Sequence, residues 1–357
     1  MRVLYFGTYQ RDYPRNAQVI SCLRRAGVTV TERHVPVWDG RRDNWSAGPG
    51  EAARLAAAEL RLLTPVTSDF DALIVGYPGH FDLPAAKAAA HGRPVVFNPL
   101  VSLWETFVAD RGRFRPGSAA ARVLAQVDRR ALRAADLVVA DTRANADQLA
   151  RLAGLPGERV ETAFVGAEDR LFTPGWEPTE RFTVLFVGKL IPLHGLETIL
   201  AAARATPELE YRLVGSGQLE ELVRARPANV EWVPWVEYEQ LPRELHRASV
   251  ALGIFGTSEK AARVIPNKAF QALACGTPLV TAETPAAREL LVDGESALLV
   301  PPGDPQALAS ALGRLAGDRG LMQRVSENGR SAYEQHASEA VLGLRWRALI
   351  ERAVAAG

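Results

Sequence analysis

The stretch FTVLFVGKLIPLHGLETILAAA, Phe182 to Ala203, reads as a buried strand, a loop bounded by Gly188 and Gly195, and a helix. A continuous apolar run leading through a glycine into helical spacing is the repeating unit of a parallel sheet covered on both faces. The loop carries Lys189 and His194. Free N–H groups and the positive dipole end at the following helix start favour an anion there, so cations in this loop make it a phosphate candidate.

Working outward, the same alternation recurs on both sides. Upstream, Arg2–Gly7, Val28–His34, Asp71–Gly76, Pro94–Phe97, Leu137–Ala140 and Val160–Phe164 read as strands. Helices fall between them at Ala17–Ala26, Glu51–Leu62, Leu83–Ala90, Ala119–Ala134 and Ala144–Leu152. Downstream, Arg212–Val214, Val230–Val233, Ser249–Phe255, Leu279–Thr281 and Ala297–Val300 read as strands, with helices at Tyr238–Ala248, Pro266–Cys275 and Ala286–Leu291. The periodicity lapses in GAEDRLFTPGWEPTE, Gly166–Glu180, whose Pro and Gly content suits a linker. The expectation is therefore α/β, with one doubly wound domain over residues 1–172 and a second over 173–337.

Composition agrees with this. The chain is 357 residues long, 47% hydrophobic and 23% charged, enough for two domains with sizeable cores. A net charge of +1 supplies no field for capturing nucleic acid. Cys22 and Cys275 form neither a metal-ligand spacing nor a disulfide framework, and no run has the length of a membrane span or of a secretory h-region. The expected location is the cytoplasm.

A second cationic segment, SEKAARVIPNKAFQALACGTP, spans Ser258 to Pro278. Pro266 suits a first helical turn and Gly276 a helix end, so Asn267, Lys268 and Gln271 lie on the polar side of a short helix, with Lys260 and Arg263 just before it. An ordinary solvated helix start gives the same pattern. The lysines are Lys87, Lys189, Lys260 and Lys268 in a chain that otherwise uses arginine, and three of them sit in the two candidate phosphate loops. A compact ammonium on a flexible stem suits a diphosphate leaving group. Gly215-Ser-Gly217 after a strand permits close backbone approach by a ligand.

In the first half, the ends of strands offer polar groups at the edge where open α/β sheets bind ligands. The loop GTYQRDYPRN supplies Thr8, Tyr9, Arg11, Tyr13, Arg15 and Asn16, and later strand ends supply His80, Asn98, Ser102 and Glu105. His80 and Glu105 are read as proton acceptors, Arg11 and Arg15 as partners for an acidic group, and Tyr9 and Tyr13 as stacking surfaces. A solvated loop histidine and a plain polar connection are the competing readings. Pro36–Gly50 is either an acceptor-facing loop or an insertion. Arg122, Arg129, Arg130 and Arg133 face either solvent or anionic lipid, which leaves peripheral contact of the first domain with the inner membrane face open.

FVGKLIPLHGLETILAAA, YRLVGSG, QALACGTPLVT and ESALLVPPGDPQALA, in that order, resemble the nucleotide-binding domain of GT-B glycosyltransferases, particularly the retaining family four group. The resemblance implies two Rossmann-like domains facing each other across a cleft, with the final helix, residues 338–357 including Leu342, Trp346 and Leu349, returning to the first domain. It also implies transfer of a sugar from a nucleotide-diphosphate sugar, with retention and without a metal or other cofactor, to a small-molecule, glycan or lipid-linked acceptor. The family's basic pair at the donor diphosphate falls on Lys189 and His194. Its two glutamates, eight positions apart with the second on the ribose, fall on Arg263 and Gln271, and Glu259 is the nearest carboxylate that can stand in. The resulting donor set is Gly188, Lys189, His194, Gly215, Gly217, Lys260, Arg263, Asn267, Lys268 and Gln271, and the expected catalytic groups are His80, Asn98, Glu105 and Glu259. A nucleotide-sugar-binding protein without turnover, or an epimerase or hydrolase of the same fold, is the alternative.

Overall fold

A computed structural model describes residues 1–11, 13–37, 49–66 and 69–356. Most of the long connection between Pro36 and Gly50 lies outside the described residues. The chain divides into two compact units, Met1–Val165 with Glu339–Gly357, and Gly166–Ser338.

The first unit is built on six parallel strands, β1 (Arg2–Gly7), β2 (Thr29–His34), β3 (Ala72–Val75), β4 (Val95–Phe97), β5 (Leu137–Ala140) and β6 (Val160–Thr162), ordered β2-β1-β3-β4-β5-β6. Its crossovers are α1 (Pro14–Arg25), α2 (Pro49–Leu62), α3 (Leu83–Ala90), α4 (Ala119–Ala134) and α5 (Arg143–Ala153). The inner strands β1, β3, β4 and β5 are apolar runs buried on both faces, as crossover helices on both sides require, whereas the edge strands β2 and β6 are partly exposed. Helix α1 begins at Pro14, earlier than the expected Ala17, because proline fits a first helical turn. Arg15 and Asn16 therefore lie in the helix and not in the loop before it. A π-helical segment at Glu105–Asp110 had no counterpart in the sequence reading.

The second unit has strands β7 (Thr183–Val187), β8 (Glu210–Val214), β9 (Val230–Val233), β10 (Val250–Leu252), β11 (Leu279–Ala282) and β12 (Leu298–Val300), all parallel and ordered β12-β11-β10-β7-β8-β9. Helices α6 (Leu196–Ala205), α7 (Glu220–Arg224), α8 (Leu241–Arg247), α9 (Asn267–Cys275), α10 (Pro305–Gly317) and α11 (Arg319–His336) surround one core that includes Phe186, Ile199, Leu213, Phe255, Leu312 and Val325. Two expected helices are shorter: Ala286–Leu291 keeps only a 3-10 turn at Ala287–Glu289, and Tyr238–Gln240 is a 3-10 turn before α8.

The boundary between units falls at Val165 and not at residue 172. Gly166 to Phe172 belongs to the second unit, where Phe172 is fully buried and the Tyr333 hydroxyl donates to Ala167 O (3.1 Å) and Asp169 Oδ1 (2.7 Å). The last helix, α12 (Glu339–Ala356), returns to the first unit. Leu342, Trp346, Leu349 and Ile350 pack into a core with Val19, Ile20 and Leu23 of α1. A Cβ on Gly343 would stand 2.4 Å from Cys22 O, so glycine sets how closely the two helices approach. Among the described residues no helix is long and apolar enough to cross a membrane.

Candidate functional site

In the second sheet the strand order reverses between β7 and β10, and the crevice outside their carboxyl ends is where open α/β sheets bind ligands. Four elements meet there: the loop after β7, the Gly-Ser-Gly turn after β8, the loop after β10 and the start of α9. Gly188 ends β7 at φ +150°, and a Cβ on it would come within 2.6 Å of Lys268 Nζ and 3.2 Å of His194 Cε1. Gly215 has φ +144°, and its Cβ would lie 1.9 Å from Gly188 O. The glycines of the Gly-Ser-Gly turn are thus required by the chain's own packing against the β7 loop. The Trp232 indole locks this contact by donating to Gly215 O at 2.9 Å.

Lys268 lies in the first turn of α9, with Pro266 as the N-cap. Its side chain is buried, Nζ has no hydrogen-bond partner, and the ammonium stands 3.7 Å from the centre of the Phe186 ring. Burial holds its pKa well below the usual lysine value. A cation beside the positive end of a helix, met by a π face and by no carboxylate, is a site prepared for an anion.

His194 packs edge-on to the same ring at 5.6 Å and donates from Nδ1 to Lys189 O. Burial first, then Lys268 and Lys260, push its pKa well below 6.5. The imidazole is therefore neutral in the free chain, whereas its expected role called for a cation. Lys189 itself is exposed. Glu259 is turned outward, its side chain 90% exposed and paired to Arg263 at 3.3 Å, so it does not face the crevice in place of a missing glutamate. Asn267 is half-buried at the start of α9. Gln271, one turn beyond Lys268, is buried and donates from Nε2 to the Tyr238 hydroxyl at 3.4 Å.

The carboxyl edge of the first sheet is different in kind, because most of its expected acceptor residues are fastened to the protein. The Tyr9 ring is fully buried between Tyr5 and His34, and its hydroxyl donates to Glu32 at 2.7 Å. Arg11 pairs with the same carboxylate at 3.2 Å. Tyr13 lies against Tyr77, ring centres 4.5 Å apart. Asn16 joins Tyr5, Gln10 and Tyr77. Arg15, fully buried, donates to Asn98 Oδ1 (2.9 Å) and to the carbonyls of Ala163 and Phe164 (2.8 Å each), and lies over the Trp346 ring. Arg15 Nη2 and Asn98 Nδ2 are left without partners.

His80 is also inside. Its side chain is 1% exposed, with Nε2 3.4 Å from Asp128 Oδ1 and the ring edge-on to Phe97. Burial lowers its pKa, and the Asp128 charge partly opposes this. Asp128 accepts from Ser102 Oγ (2.7 Å), Leu103 N (2.8 Å) and Trp104 N (2.9 Å). Glu105 is buried, accepting from Gln148 at 3.2 Å. The expected solvent-facing acid-base pair is thus a pinned network whose central carboxylate the sequence reading missed. The missing signal was present: Asp128 is the acid on the same face of an arginine-rich helix as Ala131 and Leu132.

Asp82 went unnoticed as well. It accepts from Thr8 N (2.6 Å) and Thr8 Oγ1 (2.9 Å), stapling the loop after β1 to the start of α3, and a Cβ on Gly7 would lie 2.1 Å from its Oδ2. Glu59 of α2 faces the same carboxylate, and burial first, then Asp82, pushes the Glu59 pKa up to about 9. A cavity of about 940 Å³ opens elsewhere, at the amino edge of the second sheet, where Arg212 pairs with Glu244 (2.7 Å) and Glu231 (2.5 Å). It lies at the opposite strand ends from Gly188 and is not the crevice described above.

Residues 2–166 match the sequence model described as "Glycosyl transferase 4-like domain", and residues 181–318 match "Glycosyl transferases group 1". The chain belongs to the family-four-like glycosyltransferases of GT-B fold. Among its relatives is the D-inositol 3-phosphate glycosyltransferase of Acidothermus cellulolyticus, 32% identical over 66% of this chain and 58% of that protein. D-inositol 3-phosphate glycosyltransferase 1 of Catenulispora acidiphila is 27% identical over 92% of this chain and 80% of its own length. For several other such relatives the aligned part spans little more than half of their length. Among solved structures, sucrose-phosphate synthase from Thermosynechococcus elongatus aligns over all of both chains at TM-score 0.78 and 18% identity. Anabaena HepE in complex with UDP-glucose aligns over 99% of this chain and 100% of its own at TM-score 0.71 and 17% identity. Both share the fold of this glycosyltransferase.

Proposed function

We propose that this glycosyltransferase takes a nucleoside-diphosphate sugar on its second unit and transfers the sugar, with retention of configuration, to a polar acceptor bound by its first unit. The observation that carries the donor half is Lys268, a buried ammonium with no hydrogen-bond partner at a helix start beside Gly188. A diphosphate there takes charge-assisted hydrogen bonds from Lys268 and Lys189, and N–H donors from the first turn of α9. His194 accepts a proton as the anion binds, and Lys260 adds charge at longer range. These groups meet the developing charge of the leaving nucleotide in the manner of a preorganised anion site, and in this reading they stand where a metal ion would otherwise be needed.

On the first unit, His80, Asn98, Ser102 and Glu105 act as a rigid floor for the acceptor, with Asn98 Nδ2 as a free donor. The acceptor is a small molecule, a glycan or a lipid-linked sugar. For the last case, Arg122, Arg130 and the exposed Val123 of α4 form a surface suited to anionic lipid on the cytoplasmic face. One observation favours binding without turnover: positions 263 and 271 carry no carboxylate, and Glu259 faces outward. Nucleotide release from UDP-, GDP- and ADP-sugars, measured with and without a panel of acceptors and with NMR of the product anomer, tests the proposal. Acceptor-dependent release with a retained anomer is expected, with and without chelator. Donor binding with no release under any acceptor establishes the non-catalytic reading, and release independent of acceptor establishes a hydrolase.

A further inference from the structure

Helix α9 carries Lys268 in its first turn and is nine residues long, about 13 Å, so whatever holds its far end also sets where the ammonium stands. Every residue from Lys268 to Cys275 is buried. Other elements hold the far end. The carbonyl of Ala274 accepts from Arg330 Nη1 and that of Gly276 from Ser326 Oγ, both on α11, while the carbonyl of Cys275 accepts from Gly175 N at 3.3 Å. A helix end leaves such carbonyls without intrahelical partners, and a cation among them also complements the negative end of the dipole. A Cβ on Gly329 would stand 2.9 Å from Leu273 Cδ2 and 2.8 Å from Ser296 O, so α11 lies directly against α9.

Helix α11 also holds the segment by which the chain enters the second unit, residues 166–179. Tyr333 follows Arg330 by three residues, which places the two on one side of the helix, and the Arg330 guanidinium lies over the Tyr333 ring at 5.4 Å. Arg330 is steadied by Glu334, 2.8 Å from its Nε. The Tyr333 hydroxyl bonds to Ala167 and Asp169 of the entry segment. Further along, that segment is fastened to the end of α8: Trp176 Nε1 donates to Ala248 O at 2.8 Å, and Glu177 N to His246 O at 2.9 Å. Arg330 and Tyr333 thus lace the far end of α9 to the entry segment.

We propose that Arg330 and Tyr333 are positioning residues that couple the anion site at Lys268 to the entry segment, so that a diphosphate bound at the start of α9 steadies the stretch of chain joining the two units. This inference rests on the donor reading above and deepens it. An anion drawn to Lys268 and to the N–H groups of the first turn fixes α9 along its axis. Arg330 holds the last turn of α9 to α11, and Tyr333 holds α11 to residues 167–169. Both act from the end of α9 opposite the anion, and so through the helix. Coupling of this kind is reciprocal: losing the anion loosens the entry segment, and loosening the link weakens the anion.

The test follows amide hydrogen exchange of the full chain with and without UDP, GDP, ADP or inorganic diphosphate, alongside titration calorimetry. In wild type, bound diphosphate should slow exchange in the first turn of α9 and also at the Leu171 and Phe172 amides, which donate to Glu168 O within the entry segment. Arg330→Met keeps an apolar stem against Tyr333 and releases Ala274 O. It should weaken diphosphate binding roughly fivefold and lose most of the protection at Leu171 and Phe172, while that at the start of α9 persists. Tyr333→Phe, which breaks the link at its other end, should lose the same remote protection. Arg330→Lys keeps a charged donor for Ala274 O and should recover both affinity and protection. An Arg330→Met variant that keeps the remote protection would overturn the proposal. If no diphosphate binds, the donor reading falls and this inference with it; if diphosphate binds to wild type and protects α9 alone, only the coupling falls.

Discussion

The ammonium of Lys268 lies 3.7 Å from the centre of the Phe186 ring, and that aromatic face is its compensation for burial. An unpaired buried cation destabilises the free protein and binds an anion strongly, so its removal should move stability and affinity in opposite directions. Lys268→Met is expected to raise the melting temperature of the ligand-free chain and to weaken nucleoside-diphosphate binding by about 1.5 to 3 kcal/mol, the worth of a charge-assisted hydrogen bond. Lys189→Ala, an exposed change, should weaken binding without the gain in stability. Calorimetry and melting curves decide. Unchanged affinity in both variants removes the diphosphate from this loop.

The His194 pKa lies well below 6.5 in the free chain because of burial, Lys268 and Lys260. A bound diphosphate brings negative charge and raises it, so binding takes up a proton. Affinity for UDP should therefore increase as pH falls through the bound-state pKa and level off below the free-state one. In His194→Gln the profile should be flat. A flat wild-type profile would show that the ring stays neutral and serves only to hold Lys189 O.

Glu59 and Asp82 set a second pH dependence, on stability. The folded pKa of Glu59 is raised to about 9, above its ordinary 4.5, so the folded chain holds a proton that the unfolded chain releases. The contribution of this group to stability is then fully present below pH 4.5 and declines as pH rises toward 9. Glu59→Gln, which keeps a donor for Asp82, should flatten that decline and raise the melting temperature at pH 8 by a few degrees. An unchanged or steeper alkaline loss in the variant would show that Glu59 is not the group whose ionisation sets it.

Asp128 is expected to matter more than the histidine it holds. It accepts three hydrogen bonds of 2.7 to 2.9 Å in addition to the His80 contact. Asp128→Ala leaves Ser102 and two buried amides unpaired and should cost about 3 kcal/mol or more. His80→Asn should cost less in stability; if the acceptor lies where we place it, it should lower transfer rate far more than donor affinity. Denaturant unfolding of both variants, with donor titration of His80→Asn, tests the pair. A His80→Asn variant with full turnover would confine the residue to packing.

The sheets were legible because doubly covered strands are plain apolar runs, and β1, β3, β5 and β7 stand where Arg2–Gly7, Asp71–Gly76, Leu137–Ala140 and Phe182–Val187 predicted. The crevice outside β7 was legible too, since its glycines and lysines punctuate strand–helix junctions. What the sequence hid was direction. Arg15, Asn98 and His80 look like solvent-facing polar groups at strand ends, yet each is turned inward by a partner remote in sequence: Asn98 for Arg15, Asp128 for His80. Sequence spacing places a residue at a sheet edge but says nothing of which carboxylate, tens of residues away, reaches it. The displaced unit boundary has the same origin, since only packing shows that Phe172 belongs to the second core.

The return of α12 to α1 gives the chain an order of completion. The second unit is one continuous segment, Gly166–Ser338, and is whole as soon as its last strand and helices have left the ribosome. The first unit, although its strands precede the second unit in the chain, waits with Val19, Ile20 and Leu23 uncovered until Trp346 and Ile350 have been made. Its apolar face is therefore carried open while the whole second unit is translated, and α12 acts as the seal that closes it.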